Sequence, residues 1–149
     1  MLRHAEAASG SSDFARTLTQ NGLDSALHVG QWMQSNGLHV ETILCSAADR
    51  ATQTASAVAK ALSPLPQLTV SKQLYLATPS ILLAQLNTIA ADIQSVMVVA
   101  HNPGLEQLLY QLTHEKHAMR PASLAHINLS RPWNLLQEGS GELLTLRHP

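Results

Sequence analysis

A single cysteine among 149 residues, Cys45, excludes an internal disulfide framework. Set inside an apolar stretch, it reads as a small buried hydrophobe. Charge is scarce as well: Asp, Glu, Lys and Arg make up 13% of the chain, about half the usual share. Such scarcity can mark a membrane protein, yet no apolar run approaches the roughly 20 residues that span a bilayer. Neither sign of charge dominates, with nine basic side chains against ten acidic ones and a net charge of −1. No electrostatic case therefore exists for nucleic acid, and no membrane partner is expected either. Glycine and proline, seven each, are too few for a low-complexity chain. Arg3-His4 follows Met1 almost at once, so no secretory signal is expected and a reducing, cytoplasmic address is.

What the chain has in quantity is apolar side chains, 45%, and histidine, eight in all, nearly as many as its Lys and Arg together. The length suits one domain, 1–149, able to remove roughly 70% of its surface from water without a disulfide or structural metal. Apolar runs alternate with helical patterns, which predicts an α/β domain with a mostly parallel sheet. A helix is expected from Gln20 to Asn36, capped by Thr19 and stopped at Gly37, with Leu23, Leu27, Gly30 and Met33 or Gln34 along its apolar stripe. Val40 to Ser46 and Ser95 to Ala100 read as buried strands. Ala51, Ala55, Val58 and Leu62 predict a helix packed closely on the sheet, ended by Pro64 and Pro66. Leu68 to Val70 reads as a short strand, and Leu74-Tyr75-Leu76 as a connector. Thr78-Pro79 opens a further helix bearing Ile81, Leu82, Leu86 and Ile89, and Leu105, Leu108, Leu109 and Leu112 define another. Its apolar face leaves a weak dimer open beside a monomer. Two more strands are expected at Leu124 to Leu129 and Glu142 to Leu146, with Trp133 between them packed and its N–H partnered.

Three segments place a basic residue at or just beyond a strand: Leu2-Arg3-His4, Cys45-Ser46-Ala47-Ala48-Asp49-Arg50, and Val99-Ala100-His101-Asn102. In a parallel sheet the strands' carboxyl ends share one edge, and the crevice there is the usual ligand site. Two Arg and two His gathered there would form a cationic pocket with little acidic counterweight. Arg forks and helix N-termini suit a phosphoryl group, and a neutral imidazole can attack phosphorus. Read singly, Arg3-His4 is ordinary surface chemistry, His101 a turn residue, and Arg50 a surface partner for Asp49 or Glu6.

Taken with their neighbours, these residues resemble a known family. Arg3-His4-Ala5-Glu6 is similar to the Arg-His-Gly signature of the histidine phosphatase superfamily, the phosphoglycerate-mutase-like fold. Arg16-Thr17-Leu18-Thr19-Gln20-Asn21-Gly22 resembles its Arg-x-Leu-Thr-x-x-Gly segment. Ser46-Ala47-Ala48-Asp49-Arg50-Ala51-Thr52-Gln53-Thr54 resembles its Ser-x-x-x-Arg-Ala-x-x-Thr segment, and His101-Asn102-Pro103 its second histidine motif. Small size, with Leu74-Tyr75-Leu76 leading to a Pro-started helix, looks most like the short SixA-type phosphohistidine phosphatase branch.

The resemblance implies a three-layer α/β/α sandwich and a phosphatase with His4 as nucleophile. Arg3, Arg50 and His101 would hold the phosphoryl oxygens, with Arg16 adding a contact, and no metal or other cofactor is implied. His4 must be neutral at one nitrogen, helped by the surrounding positive charge, while its other nitrogen donates to a backbone carbonyl. Three positions depart from the pattern. Ala5 stands where many members carry Gly. Only Met1 and Leu2 precede Arg3, although a strand wants about five or six residues. Ser71 to Ser80 holds no Asp or Glu, whereas larger members place a proton-donating acid there, and an alkoxide leaving group needs one. Imidazole leaves more easily, so the expected substrate is phosphohistidine in a protein. The alternatives are a broad small-molecule phosphomonoesterase and a catalytically silent phosphate-binding interaction domain. Glu6, the nearby carboxylate, is expected to orient the loop.

Among the other histidines, His114 and His117 have a spacing compatible with a metal but fall where a helix should end in solvent. His28, His39 and His148 read as surface positions, and His126 as a strand residue able to face the crevice.

Overall fold

A six-stranded sheet runs through the computed structural model, which describes residues 1–149. Its strands are β1 (Leu2–Arg3), β2 (Thr42–Ser46), β3 (Gln67–Ser71), β4 (Val96–Ala100), β5 (Leu124–Leu129) and β6 (Gly141–Arg147), in the order β3-β2-β4-β1-β5-β6. The first four are parallel, β5 is antiparallel to β1, and β6 is antiparallel to β5, so only β5 opposes the common direction. The helices are α1 (Gln20–Ser35), α2 (Asp49–Lys60), α3 (Pro79–Leu86) and α4 (Gly104–Thr113).

Side chains alternate across a strand, and here each alternate set finds its own helix layer. Ile43, Cys45, Met97 and Val99 join Val29, Met33, Ala55 and Val58 of α1 and α2. Leu44, Val98 and Ala100 join Leu82 and Leu86 of α3 and Leu105, Leu108 and Leu112 of α4. The result is the expected three-layer α/β/α sandwich of phosphoglycerate-mutase type.

Sequence patterning and structure part company at α1. Leu23 and Leu27 are 38% and 39% exposed, while Gly22, Ala26, Val29, Gly30 and Met33 are buried. Gly30 and Met33 are buried as expected, but the stripe turns towards Gly22, Ala26 and Val29, and its two glycines sit where backbone approaches closely. A Cβ on Gly22 would lie 2.2 Å from the Glu6 carbonyl oxygen, and one on Gly30 would lie 2.7 Å from that of Val58. Ile81 is likewise exposed where a buried face was expected. On α4 the four leucines are buried in the core, so that face offers nothing to a second copy.

The two-residue β1 is stitched on both sides. Leu2 pairs with Val99 and Leu124, the Met1 amine donates to the Ala125 carbonyl at 2.7 Å, and the Ala125 N–H donates back to the Met1 carbonyl at 2.8 Å. A cavity of about 640 Å³ opens at the edge of the sheet where the parallel strands begin, lined by Val96, Met97, Ile127, Leu129 and Trp133 among others. The Trp133 indole N–H donates to the Ile93 carbonyl at 2.6 Å. No helix is long and apolar enough to cross a membrane.

Candidate active site

At the opposite edge, where the parallel strands end, a cleft of about 460 Å³ is lined by Arg3, His4, Asp13, Arg16, Arg50 and His101, with Glu6 and Asn102 beside them. Arg3 is the last residue of β1, His4 follows it, His101 follows β4, and Arg50 lies in the first turn of α2. All five residues singled out from the sequence therefore meet in one place.

The backbone of the His4 loop is held by α1 and α2. Thr54 Oγ1 accepts from the Ala5 N–H at 3.0 Å and donates to the Arg50 carbonyl at 2.6 Å. Thr19 Oγ1 caps α1 by accepting from the Gly22 N–H at 3.0 Å, and donates to Glu6 Oε1 at 2.9 Å. Glu6 thus ties the loop to the start of α1. The Asn102 amide donates to Glu106 at 2.7 Å and to the Met119 carbonyl at 2.9 Å, and the same carbonyl accepts from Arg3 Nη1 at 2.8 Å.

Partner chemistry settles the histidine tautomers. His4 Nδ1 lies 2.8 Å from the Ala5 carbonyl, which can only accept, so Nδ1 carries the proton and Nε2 keeps its lone pair. Arg50 Nε donates to that lone pair at 3.2 Å. Arg50 Nη2 lies 3.3 Å from His101 Nδ1, and an arginine can only donate, so His101 donates through Nε2 to Ser46 Oγ at 2.7 Å. The rings of His4 and His101 sit 5.0 Å apart, centroid to centroid.

Burial, rather than the neighbouring arginines, is the first cause that lowers His4 to about 4, with Arg50, Arg3 and Arg16 adding to it and the Ala5 carbonyl opposing. His101, 2% exposed, is lowered to about 3 by burial, then by His4 and Arg50. Both are neutral at pH 7. Burial also lowers Arg3, with Glu106 opposing.

Asp13 revises the expectation of little acidic counterweight in the cleft. Its Oδ2 accepts from Arg50 Nη2 at 3.0 Å and from the Tyr75 hydroxyl at 2.7 Å, while Oδ1 accepts from Arg16 Nη1 at 3.1 Å. Tyr75, Arg16 and Arg50 together hold the carboxyl down at about 2. Arg50, 3% exposed, takes neither Asp49 nor Glu6 as partner. Sequence reading missed Asp13 and Tyr75; the single local trace was the three-residue spacing of Asp13 and Arg16.

The remaining histidines lie elsewhere. His126 lines the cavity at the far edge, because antiparallel β5 carries its third residue away from the cleft. His28, His39 and His148 are exposed. His114 terminates α4 in the left-handed region (φ 61°), with Glu138 3.7 Å away, and His117 pairs with Glu115 at 2.9 Å. No three His, Cys, Asp or Glu side chains converge as a metal site would require. Cys45 is buried, which pushes its thiol up to about 12.

The family model for the histidine phosphatase superfamily (branch 1) matches residues 1–74. Phosphohistidine phosphatase SixA of Escherichia coli K12 is 30% identical over 120 residues, covering 75% of this chain and 71% of that protein. An uncharacterized protein of Mycobacterium tuberculosis is 32% identical over 104 residues, which are 68% of this chain and 63% of its own length. Among solved structures, the protein histidine phosphatase SixA complexed with tungstate superposes with a TM-score of 0.84 at 25% identity, covering 97% of this chain and 92% of that one.

Proposed function

The chain belongs to the histidine phosphatase superfamily, and on that premise we propose that it is a metal-independent phosphohistidine phosphatase working through a covalent phosphoryl group on His4. The observation that carries this reading is the His4 hydrogen bond to the Ala5 carbonyl, which leaves Nε2 as a neutral, protein-oriented lone pair beside Arg50. His4 Nε2 attacks phosphorus as the phosphorus–nitrogen bond of the substrate breaks. The substrate ring, protonated from solvent at its other nitrogen, keeps the departing pair and leaves as neutral imidazole. Water then cleaves the enzyme's own phosphorus–nitrogen bond, giving inorganic phosphate and free His4. Arg3, Arg50, Arg16 and His101 stabilise the charge on the non-bridging oxygens through both steps. A SixA relative is complexed with tungstate, an oxyanion similar to phosphate in shape and charge, which supports oxyanion binding by this chain.

Leaving-group chemistry supports the substrate class. The cleft carboxylates are Glu6, engaged with Thr19, and Asp13, held down at about 2. An Asp ionised at neutral pH has no proton to give an alkoxide. Imidazole, a far better leaving group, departs with little help.

The test is a competition between a phosphohistidine-bearing protein and a panel of alkyl and sugar phosphates, in the presence of a chelator, ranked by kcat/KM. The proposal expects phosphohistidine first by at least about a hundredfold, the scale of a missing general acid. Sugar phosphates turned over faster would overturn it.

A further inference from the structure

Arg50, the deepest cation in the cleft, is already fully engaged. Nε donates to His4, Nη1 to the Asp13 carbonyl oxygen, and Nη2 to Asp13 Oδ2 while also lying against His101. The other carboxylate oxygen of Asp13 takes Arg16. One side chain thus occupies two of the three guanidinium groups proposed to hold phosphoryl oxygens, and Tyr75 braces it from the rim at 2.7 Å.

Asp13 is not needed to hold those arginines in place. Arg16 also donates to the Ala8 and Ala7 carbonyls, at 2.8 and 3.4 Å. Arg50 is 3% exposed and retains the two histidines. Asp13 itself has a side chain 48% exposed, on an irregular segment between the Ala7 and Leu18 bridge residues. A carboxylate and a phosphoryl oxygen cannot share Arg50 Nη2 without like-charge repulsion at contact distance. We infer that Asp13 is a resident anion that competes with phosphoryl groups for Arg50 and Arg16, and that its return expels inorganic phosphate at the end of each turnover. Substrate binding displaces the carboxylate towards solvent. When the phosphorus–nitrogen bond is broken and phosphate is free, Asp13 reclaims both guanidinium groups and Tyr75 re-anchors it. Asp13 thereby sets the balance between affinity and release, acting through the arginines rather than on phosphorus.

The inference rests on the phosphatase reading of the cleft, and equilibrium binding separates the two. Inorganic phosphate and tungstate are titrated calorimetrically into the wild type, Asp13→Asn, Asp13→Glu and Tyr75→Phe, and aryl phosphate kinetics are run on the same preparations. Asp13→Asn keeps the shape and removes the charge, so it is expected to bind phosphate at least about tenfold more tightly. KM should fall with it while kcat stays level or drops, because release is slowed. Asp13→Glu restores the anion and should return affinity towards wild type. Tyr75→Phe, which keeps the ring and loses the brace, should tighten binding by a smaller factor and carries the test if Asp13→Asn does not fold. Wild type that binds phosphate, with variants that bind no more tightly, overturns this inference alone. Wild type and variants that bind neither anion overturn the phosphatase reading and the inference with it.

Discussion

The two edges of the sheet make an instructive pair. The larger opening, about 640 Å³, sits where the parallel strands begin and is lined mainly by aliphatic side chains; the smaller, about 460 Å³, sits where they end and gathers three arginines, two neutral histidines and two carboxylates. Size does not pick out the edge where the titratable residues converge. The candidate site lies at the carboxyl ends because successive parallel strands deliver their following residues there, and the first turn of α2 adds Arg50 at the same level. Near the far edge the chain instead has a buried terminal amine lowered to about 5 and His126 lowered by burial and then by that amine, with no acid among the residues that line the cavity.

Substitutions should respect that division. His4→Ala is expected to lose aryl phosphate turnover by about 10⁴-fold or more, with folding intact by circular dichroism, since the nucleophile goes and its loop remains pinned by Thr54. Activity retained within tenfold would place the nucleophile elsewhere. Arg50→Lys should lower kcat by about 10²–10³-fold, because an ammonium cannot serve His4, His101 and a phosphoryl oxygen from one plane. An effect confined to KM would contradict a role in the transition state.

pH separates activity from stability at the cleft edge. His4 titrates at about 4 in the folded chain and at about 6.5 when unfolded. The reactive neutral form therefore persists on acidification, and kcat/KM should hold down to about pH 5 and fall near 4. Stability follows the opposite logic. Below about 6.5 the unfolded chain binds protons on His4 and His101 that the folded chain refuses, so Tm should decline as pH falls from about 6.5 towards 4. A kcat/KM limb near 6.5 would show that burial does not hold His4 neutral. The smallest effect belongs to the far edge. His126→Leu should leave kcat/KM unchanged, because His126 lines the cavity at the opposite edge of the sheet from the cleft. A loss of turnover there would break the division between the edges.

Much of this was legible in the chain. Strand-end positions and four ordered motifs led to Arg3, His4, Arg50 and His101, because a short apolar run followed at once by a basic residue has a defined place in a parallel sheet. The structure supplies reasons for motif residues that carried none from sequence: Ser46 orients His101, and Thr54 joins the His4 loop to α2. Asp13 and Tyr75 were not legible, since Asp13 meets Arg50 across 37 residues and Tyr75 across 62, from segments without periodicity. On α1 the expected Gly30 and Met33 are buried, but Leu23 and Leu27 are not, because close packing against Glu6 turns the buried stripe towards Gly22.

Rapid quenching of the enzyme during turnover of a phosphorus-labelled substrate, followed by site mapping, tests the central claim most directly. One phosphoryl group on His4 is expected, stable to base, lost in acid, and absent from His4→Ala. A label on another residue, or turnover with no label trapped on any time scale, would contradict it.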